Sequence, residues 1–172
     1  GVHLGARRNK VWPVENFAEM VDRLHELLES EIFIFYGRAE RPRVELFRRS
    51  VHVPVRIVEP ESVRKLAAML ECLDMYIGCD TGPMHLAVAL GVPTVAIFIE
   101  DDFRRYGPQG PKHRIIFRKD KNVQPEDVLA GVKNLIESSI IDCESAVRSA
   151  NKGRDGRNVP CEQSEAVKMR SG

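Results

Sequence analysis

A chain of 172 residues, 43% hydrophobic and 30% charged, is long enough to bury about 70% of its unfolded surface in one domain. Its composition excludes fibrous and wholly disordered classes. A formal charge of +1 creates no net field toward nucleic acid or acidic membranes, so composition points to neither as a partner.

No apolar run approaches the ~20 residues of a membrane span. The first residues already read as a strand, which argues against a signal peptide. The chain opens without Met and inside an element, so we expect a piece of a longer protein. Val2-Leu4 is a short strand ending at Gly5, followed by a basic loop to Pro13. Val14, Phe17, Met20, Val21, Leu24, Leu27 and Leu28 then recur at steps of three and four, a helical stripe over 14–30. Trp12 is read as a core anchor beneath that helix. Ile32-Tyr36 is a continuous apolar run, the pattern of a strand covered on both faces.

A helix over 41–50 and a strand over 55–58 follow. Ser62 is placed to cap a helix to about Cys72, with Val63, Leu66, Ala67 and Leu70 on one face. Next come a strand over 75–79, a helix over 83–90 and a strand over 94–98. A polar loop from Glu100 to Lys112, an edge strand over 113–117 and an amphipathic helix over 125–138 complete the pattern. From Cys143 onward large apolar side chains thin out, so we expect one folded domain over 1–142 and a polar, mobile tail over 143–172. Cys72, Cys79, Cys143 and Cys161 show no metal-binding spacing, which favours a reducing compartment over disulfides.

Strands alternating with helices imply an α/β fold, a mostly parallel Rossmann-like sheet with helices on both faces. Ligands of such sheets bind beyond the carboxyl ends of the strands, where strand order reverses. If the first strand is central with the 75–79 strand beside it, two loops flank that crevice: Gly5 to Lys10 and Asp80 to His85. In the second, Asp80 closes a strand, Asp80 or Thr81 can cap the next helix, Gly82 admits a close ligand and Pro83 suits the first turn. His85 points from that turn toward the strand ends. A helix N-terminus with such a turn favours an anion. Asp80 and Pro83 alone fit a merely well-capped helix; all six residues together favour a ligand.

Lys10 can hold a phosphate as a point charge; by itself it equally fits a solvated basic loop. Glu40, past a strand end, can accept hydrogen bonds from ribose hydroxyls; by itself it also fits an ordinary surface position. Glu100-Asp101-Asp102 makes no coordination cage, because adjacent side chains diverge, and no metal or cofactor is expected. No GxGxxG, P-loop or Ser/His/Asp order occurs.

These residues together resemble the carboxyl-terminal half of glycosyltransferase family 9, the ADP-heptose:lipopolysaccharide heptosyltransferases. The resemblance rests on Gly5-Ala6, Lys10-Val11-Trp12-Pro13, Gly37-Arg38-Ala39-Glu40, Asp80-Thr81-Gly82-Pro83-Met84-His85-Leu86-Ala87, Gly91-Val92-Pro93-Thr94 and Tyr106-Gly107-Pro108, in family order over roughly residues 2 to 138. It implies one half of a GT-B fold, the half that binds a nucleotide-sugar donor. By that likeness Gly5, Ala6, Lys10, Asp80, Thr81, Gly82 and His85 meet the diphosphate of an ADP-sugar. Glu40 meets the ribose, and the segment around Glu61 meets the adenine largely through backbone. The likeness further implies inverting transfer of heptose to the lipopolysaccharide inner core. The catalytic base would come from an amino-terminal domain, at the cytoplasmic side of the inner membrane and peripheral to it. The alternative is a nucleotide-sugar binding module that is inactive or needs a partner domain. Two departures from the family pattern bear on the sugar: Ile99 and Tyr36 stand where glycines are typical.

Overall fold

The computed structural model describes residues 1–6, 10–100 and 102–152, with side chains through residue 138. The chain divides into two compact units, Gly1–Leu135 and Ile136–Gly172. In the first, β1 (Val2–His3), β2 (Phe33–Phe35), β3 (Arg56–Val58), β4 (Tyr76–Cys79), β5 (Thr94–Phe98) and β6 (His113–Phe117) form one sheet in the order β3-β2-β1-β4-β5-β6. Every pairing is parallel. β1 is central, with Val2 beside Ile34 on one side and Ile77 on the other. The order therefore reverses between β1 and β4, the expected crevice of a doubly wound sheet.

Among the described residues five helices connect the strands: α1 (Val14–Leu28), α2 (Arg41–Ser50), α3 (Val63–Glu71), α4 (Gly82–Ala89) and α5 (Phe103–Tyr106), with a 3-10 turn at Arg38–Glu40 leading into α2. The last helix, α6 (Pro125–Lys152), follows β6. Alternation along β5 divides the core. Ala96 and Phe98 join Tyr76, Leu70, Met84 and Ala87 in a buried cluster beneath α3 and α4. Val95 lies under α6, where a Cβ on Gly131 would approach Val95 and Ile116. Such two-sided burial explains why β4 and β5 read as unbroken apolar runs.

Trp12 is 1% exposed. Its ring meets Phe17 edge-on at 4.7 Å, and its indole N–H donates to the Val123 carbonyl at 2.8 Å. It anchors the foot of α1 as the sequence implied. Ser62 accepts the Lys65 amide at 3.2 Å, the expected cap of α3. The described cysteine side chains, Cys72 and Cys79, are both free, and burial pushes the Cys79 thiol up to about 12. Among the described residues no helix is long and apolar enough to cross a membrane.

Three expectations are corrected. The polar loop after β5 holds a helical turn, α5, whose Phe103 packs against Phe117 at 4.7 Å. Val63 is not on the inner face of α3 but 72% exposed, because the buried stripe narrows to Leu70 at the far end of that short helix. The last helix does not stop near Ser138 but continues to Lys152; after Gly131 the sequence offers no Gly or Pro until Gly153, so nothing local breaks it. The remainder of the expected tail, residues 153–172, lies outside the described residues.

Candidate functional site

A cavity of about 900 Å³ opens at the carboxyl ends of the strands, over the β1/β4 switch point. Its floor is built by loops distant in sequence. Lys10 sends its ammonium to Asp80 Oδ2 at 2.7 Å and to Asp102. Asp80 Oδ1 lies 3.2 Å from His85 Nε2. The carboxylates, Asp102 first and Asp80 second, raise the Lys10 pKa above its ordinary value. Lys10 therefore stays protonated near neutral pH. An ammonium has three N–H donors; two are spent on carboxylates, leaving one, with the Tyr106 ring 5.7 Å from the nitrogen. Lys10 and Tyr106 both face the cavity.

The α4 end of the floor differs from expectation in one respect. Neither Asp80 nor Thr81 caps the helix by a side-chain bond. The Asp80 oxygens are drawn to Lys10 and His85, and the Thr81 hydroxyl turns back to the Cys79 carbonyl at 3.2 Å. Among the described residues no side chain caps the leading end of α4 by a hydrogen bond, and there backbone amides and the helix dipole favour negative charge. Thr81, Gly82, Pro83 and His85 all line the cavity. A Cβ on Gly82 would meet nothing within 4 Å, so this position is open to a ligand.

The opposite wall is made by the ends of β1 and β2. Gly5 donates its amide to His3 Nδ1 at 3.1 Å, and Gly37 donates to Glu40 Oε2 at 2.8 Å. A Cβ on Gly5 would sit 2.5 Å from the His3 ring and 3.0 Å from the Glu40 carboxyl. Gly5 is therefore required by tertiary crowding. The hydrogen bond from Gly37 occupies one Glu40 oxygen and leaves the other available. Burial pushes the His3 pKa down, so the ring is neutral and its Nδ1 can accept.

The flank is apolar: Pro60, Val63 and Leu66, with Phe35 and Tyr36 across from the floor residues in the same cavity. Glu61 does not line it; its carboxylate pairs with Lys65 one helical turn on and is 76% exposed. Its neighbours Pro60 and Ser62 do line it.

Of the residues singled out in the sequence, Gly5, Ala6, Lys10, Glu40, Asp80, Thr81, Gly82 and His85 converge on one cavity, and only Glu61 turns its side chain away. Of the two departures, Tyr36 lines the cavity and Ile99 does not. Sequence reasoning missed His3, Tyr106, Val63 and Asp102. The acidic run Glu100 to Asp102 was weighed only for metal. Its described carboxylates separate, Glu100 to Lys121 at 2.9 Å and Asp102 to Lys10; Asp101 lies outside the described residues.

The profile of glycosyltransferase family 9 (heptosyltransferase) matches residues 2–132. The chain is 24% identical over 123 residues to the lipopolysaccharide core heptosyltransferase OpsX of Haemophilus influenzae, covering 70% of this chain and 35% of that one. It is 25% identical over 154 residues to the lipooligosaccharide heptosyltransferase 2 of Campylobacter jejuni, covering 76% and 48%. It thus spans from about a third to a half of the length of these relatives. Among solved structures, a glycosyl transferase of family 9 from Veillonella parvula superposes with a TM-score of 0.69 at 21% identity, covering 79% of this chain and 46% of that one. E. coli heptosyltransferase WaaC with ADP superposes with a TM-score of 0.65 at 23% identity, covering 79% and 42%. The likeness to these two structures is one of fold.

Proposed function

This chain belongs to glycosyltransferase family 9, and from that premise we propose that it is the donor-binding half of an inverting glycosyltransferase. In this reading it holds an ADP-sugar, heptose or a related sugar, for transfer to the inner core of lipopolysaccharide. The observation that carries the reading is the meeting of Lys10 with Asp80, 2.7 Å apart, beside the uncapped end of α4. Those groups come from β1 and β4, the two strands flanking the switch point.

Each residue has a definite task in this scheme. The free N–H of Lys10, the amides opening α4 and His85 hold the diphosphate. Glu40 accepts from the ribose with the oxygen that Gly37 leaves free. The apolar flank of Pro60, Val63 and Leu66 covers the adenine, and backbone near Glu61 meets its edge. Cleavage of the sugar–phosphate bond leaves negative charge on the departing ADP. A lysine and a helix end already aimed at that charge lower the barrier without moving during reaction. Asp80 and Asp102 offset part of the Lys10 charge, so their role is to aim it. Tyr36, in place of a glycine, narrows the cavity wall and bears on which sugar fits.

The acceptor hydroxyl needs a base, which we assign to an amino-terminal domain of the GT-B pair. The site of action is then the cytoplasmic face of the inner membrane, with the enzyme peripheral to it. Because the chain spans less than half of the relatives it matches, a second reading is a nucleotide-sugar binding module that acts only with a partner domain. Both readings require ADP recognition. Titration calorimetry with ADP, UDP and GDP tests it: ADP should bind, and more tightly than the other two. Equal indifference to all three removes the nucleotide site. Turnover assays then test what both readings share, since sugar transfer by these 172 residues alone would contradict an external base.

A further inference from the structure

The β1–α1 loop carries Gly5, Ala6 and Lys10, and its two ends meet at one side chain. Arg43, in the first turns of α2, donates Nε–H to the Leu4 carbonyl at 3.0 Å and an Nη2–H to the Trp12 carbonyl at 2.7 Å. We propose that Arg43 is a positioning residue for the donor site: its guanidinium clamps both ends of this loop and so fixes where Lys10 stands relative to α4. The proposal rests on the reading of the cavity as a donor site.

The geometry favours positioning over simple packing. Leu4 and Trp12 are both buried, so each carbonyl belongs to a fixed chain end. The clamp's own base is equally fixed, because Val44 and Phe47 bury α2. A guanidinium presents a planar fork that serves two acceptors at once, which a lysine ammonium on a flexible stem does not reproduce. Among the described residues no carboxylate lies within ion-pair distance of Arg43, unlike Lys10 with its two. A partly buried cation held only by carbonyls costs desolvation. What it supplies in return is the closure of a loop whose ends are eight residues apart. Glu15, on α1, and Glu40, in the turn before α2, favour its charge.

The test uses the 172-residue chain with Arg43→Gln and Arg43→Lys. Hydrogen exchange is followed at the amides of Gly5, Ala6, Lys10, Val11 and Trp12 without ligand. Calorimetry follows ADP and, separately, adenosine. We expect loop amides in Arg43→Gln to exchange about tenfold faster, as loss of a charged hydrogen-bond donor allows, with α4 amides unchanged. ADP affinity should fall by about tenfold and adenosine affinity by less than about twofold, because the loop serves the diphosphate and not the base. Arg43→Lys keeps the charge without the fork, so it should restore only part of either effect; it also serves if Arg43→Gln fails to fold. Unchanged loop exchange in both variants overturns the clamp, as does an equal acceleration across the whole domain. Full rescue by lysine also overturns it, since charge alone would then suffice. A wild-type chain that ignores ADP would sink the donor reading, while the exchange arm would still decide the clamp.

Discussion

Two segments reach the same cavity by opposite means. The turn from Asp80 to His85 is organised within itself: Thr81 returns to Cys79, His85 reaches Asp80, and Pro83 sits in the first helical turn. The β1–α1 loop is organised from elsewhere. Its ends are held by Arg43, and Lys10 is held by Asp80 and Asp102, 70 and 92 residues away. The comparison teaches that the anion-facing end of α4 is intrinsic to its turn, whereas the cationic side of the site exists only once the sheet is assembled.

The sharpest way to break this contrast is Lys10→Ala. Loss of a charge-assisted contact costs about 1.5–3 kcal/mol, so ADP affinity measured by calorimetry should fall by roughly ten- to a hundredfold. His85→Ala should weaken ADP by less, since that ring is half exposed and its bond to Asp80 is long. An equal loss from both would mean that the two sides contribute alike.

A pair of glycines sharpens the comparison on the stability axis. Gly5→Ala forces a Cβ against His3 and Glu40. Such overpacking costs about 1–3 kcal/mol, to be read as a lowered urea midpoint at constant slope. Gly82→Ala meets no protein atom and should leave the midpoint unchanged while weakening ADP. A destabilised Gly82 variant would show the local turn to be less self-sufficient than its hydrogen bonds indicate.

Smaller still is Ser62→Ala, which removes the α3 cap and should cost about 1 kcal/mol of stability. The last test is pH. Burial depresses the His3 pKa in the folded chain, so between that depressed value and the ordinary value near 6.5 the unfolded chain binds more protons. Stability should therefore fall as pH drops below about 6.5, and level off below the folded pKa. His113, also depressed by burial, adds in the same direction. His3→Gln should flatten the slope of urea midpoint against pH; an unchanged slope would remove His3 as its source.

Much of this molecule is legible without coordinates. Of the expected stripe, Val14, Phe17, Met20, Val21 and Leu24 are buried as its spacing requires, whereas Leu27 and Leu28, in the last turn of α1, are exposed; β5 and β6 span the expected residues. The centrality of β1 follows from the assumed doubly wound order and is observed. Val63 failed because a helix of nine residues presents too few turns for periodicity to separate rim from core. Glu61 was expected to act largely through its backbone; its carboxylate pairs with Lys65, four residues on, while its neighbours Pro60 and Ser62 line the cavity. Asp102 was missed because its partner is 92 residues away, beyond anything spacing can register.

What the sequence alone determined is local: which segments become strands or helices, and where α3 is capped. Those choices depend on contacts within three or four residues, where propensity and periodicity act. Only the tertiary structure decided that Lys10 stands between Asp80 and Asp102, that Gly5 tolerates no side chain, and that Arg43 joins Leu4 to Trp12. Such pairings are set by strand order and packing, because charges and carbonyls distant along the chain acquire a common neighbourhood only when the sheet brings their loops to one edge.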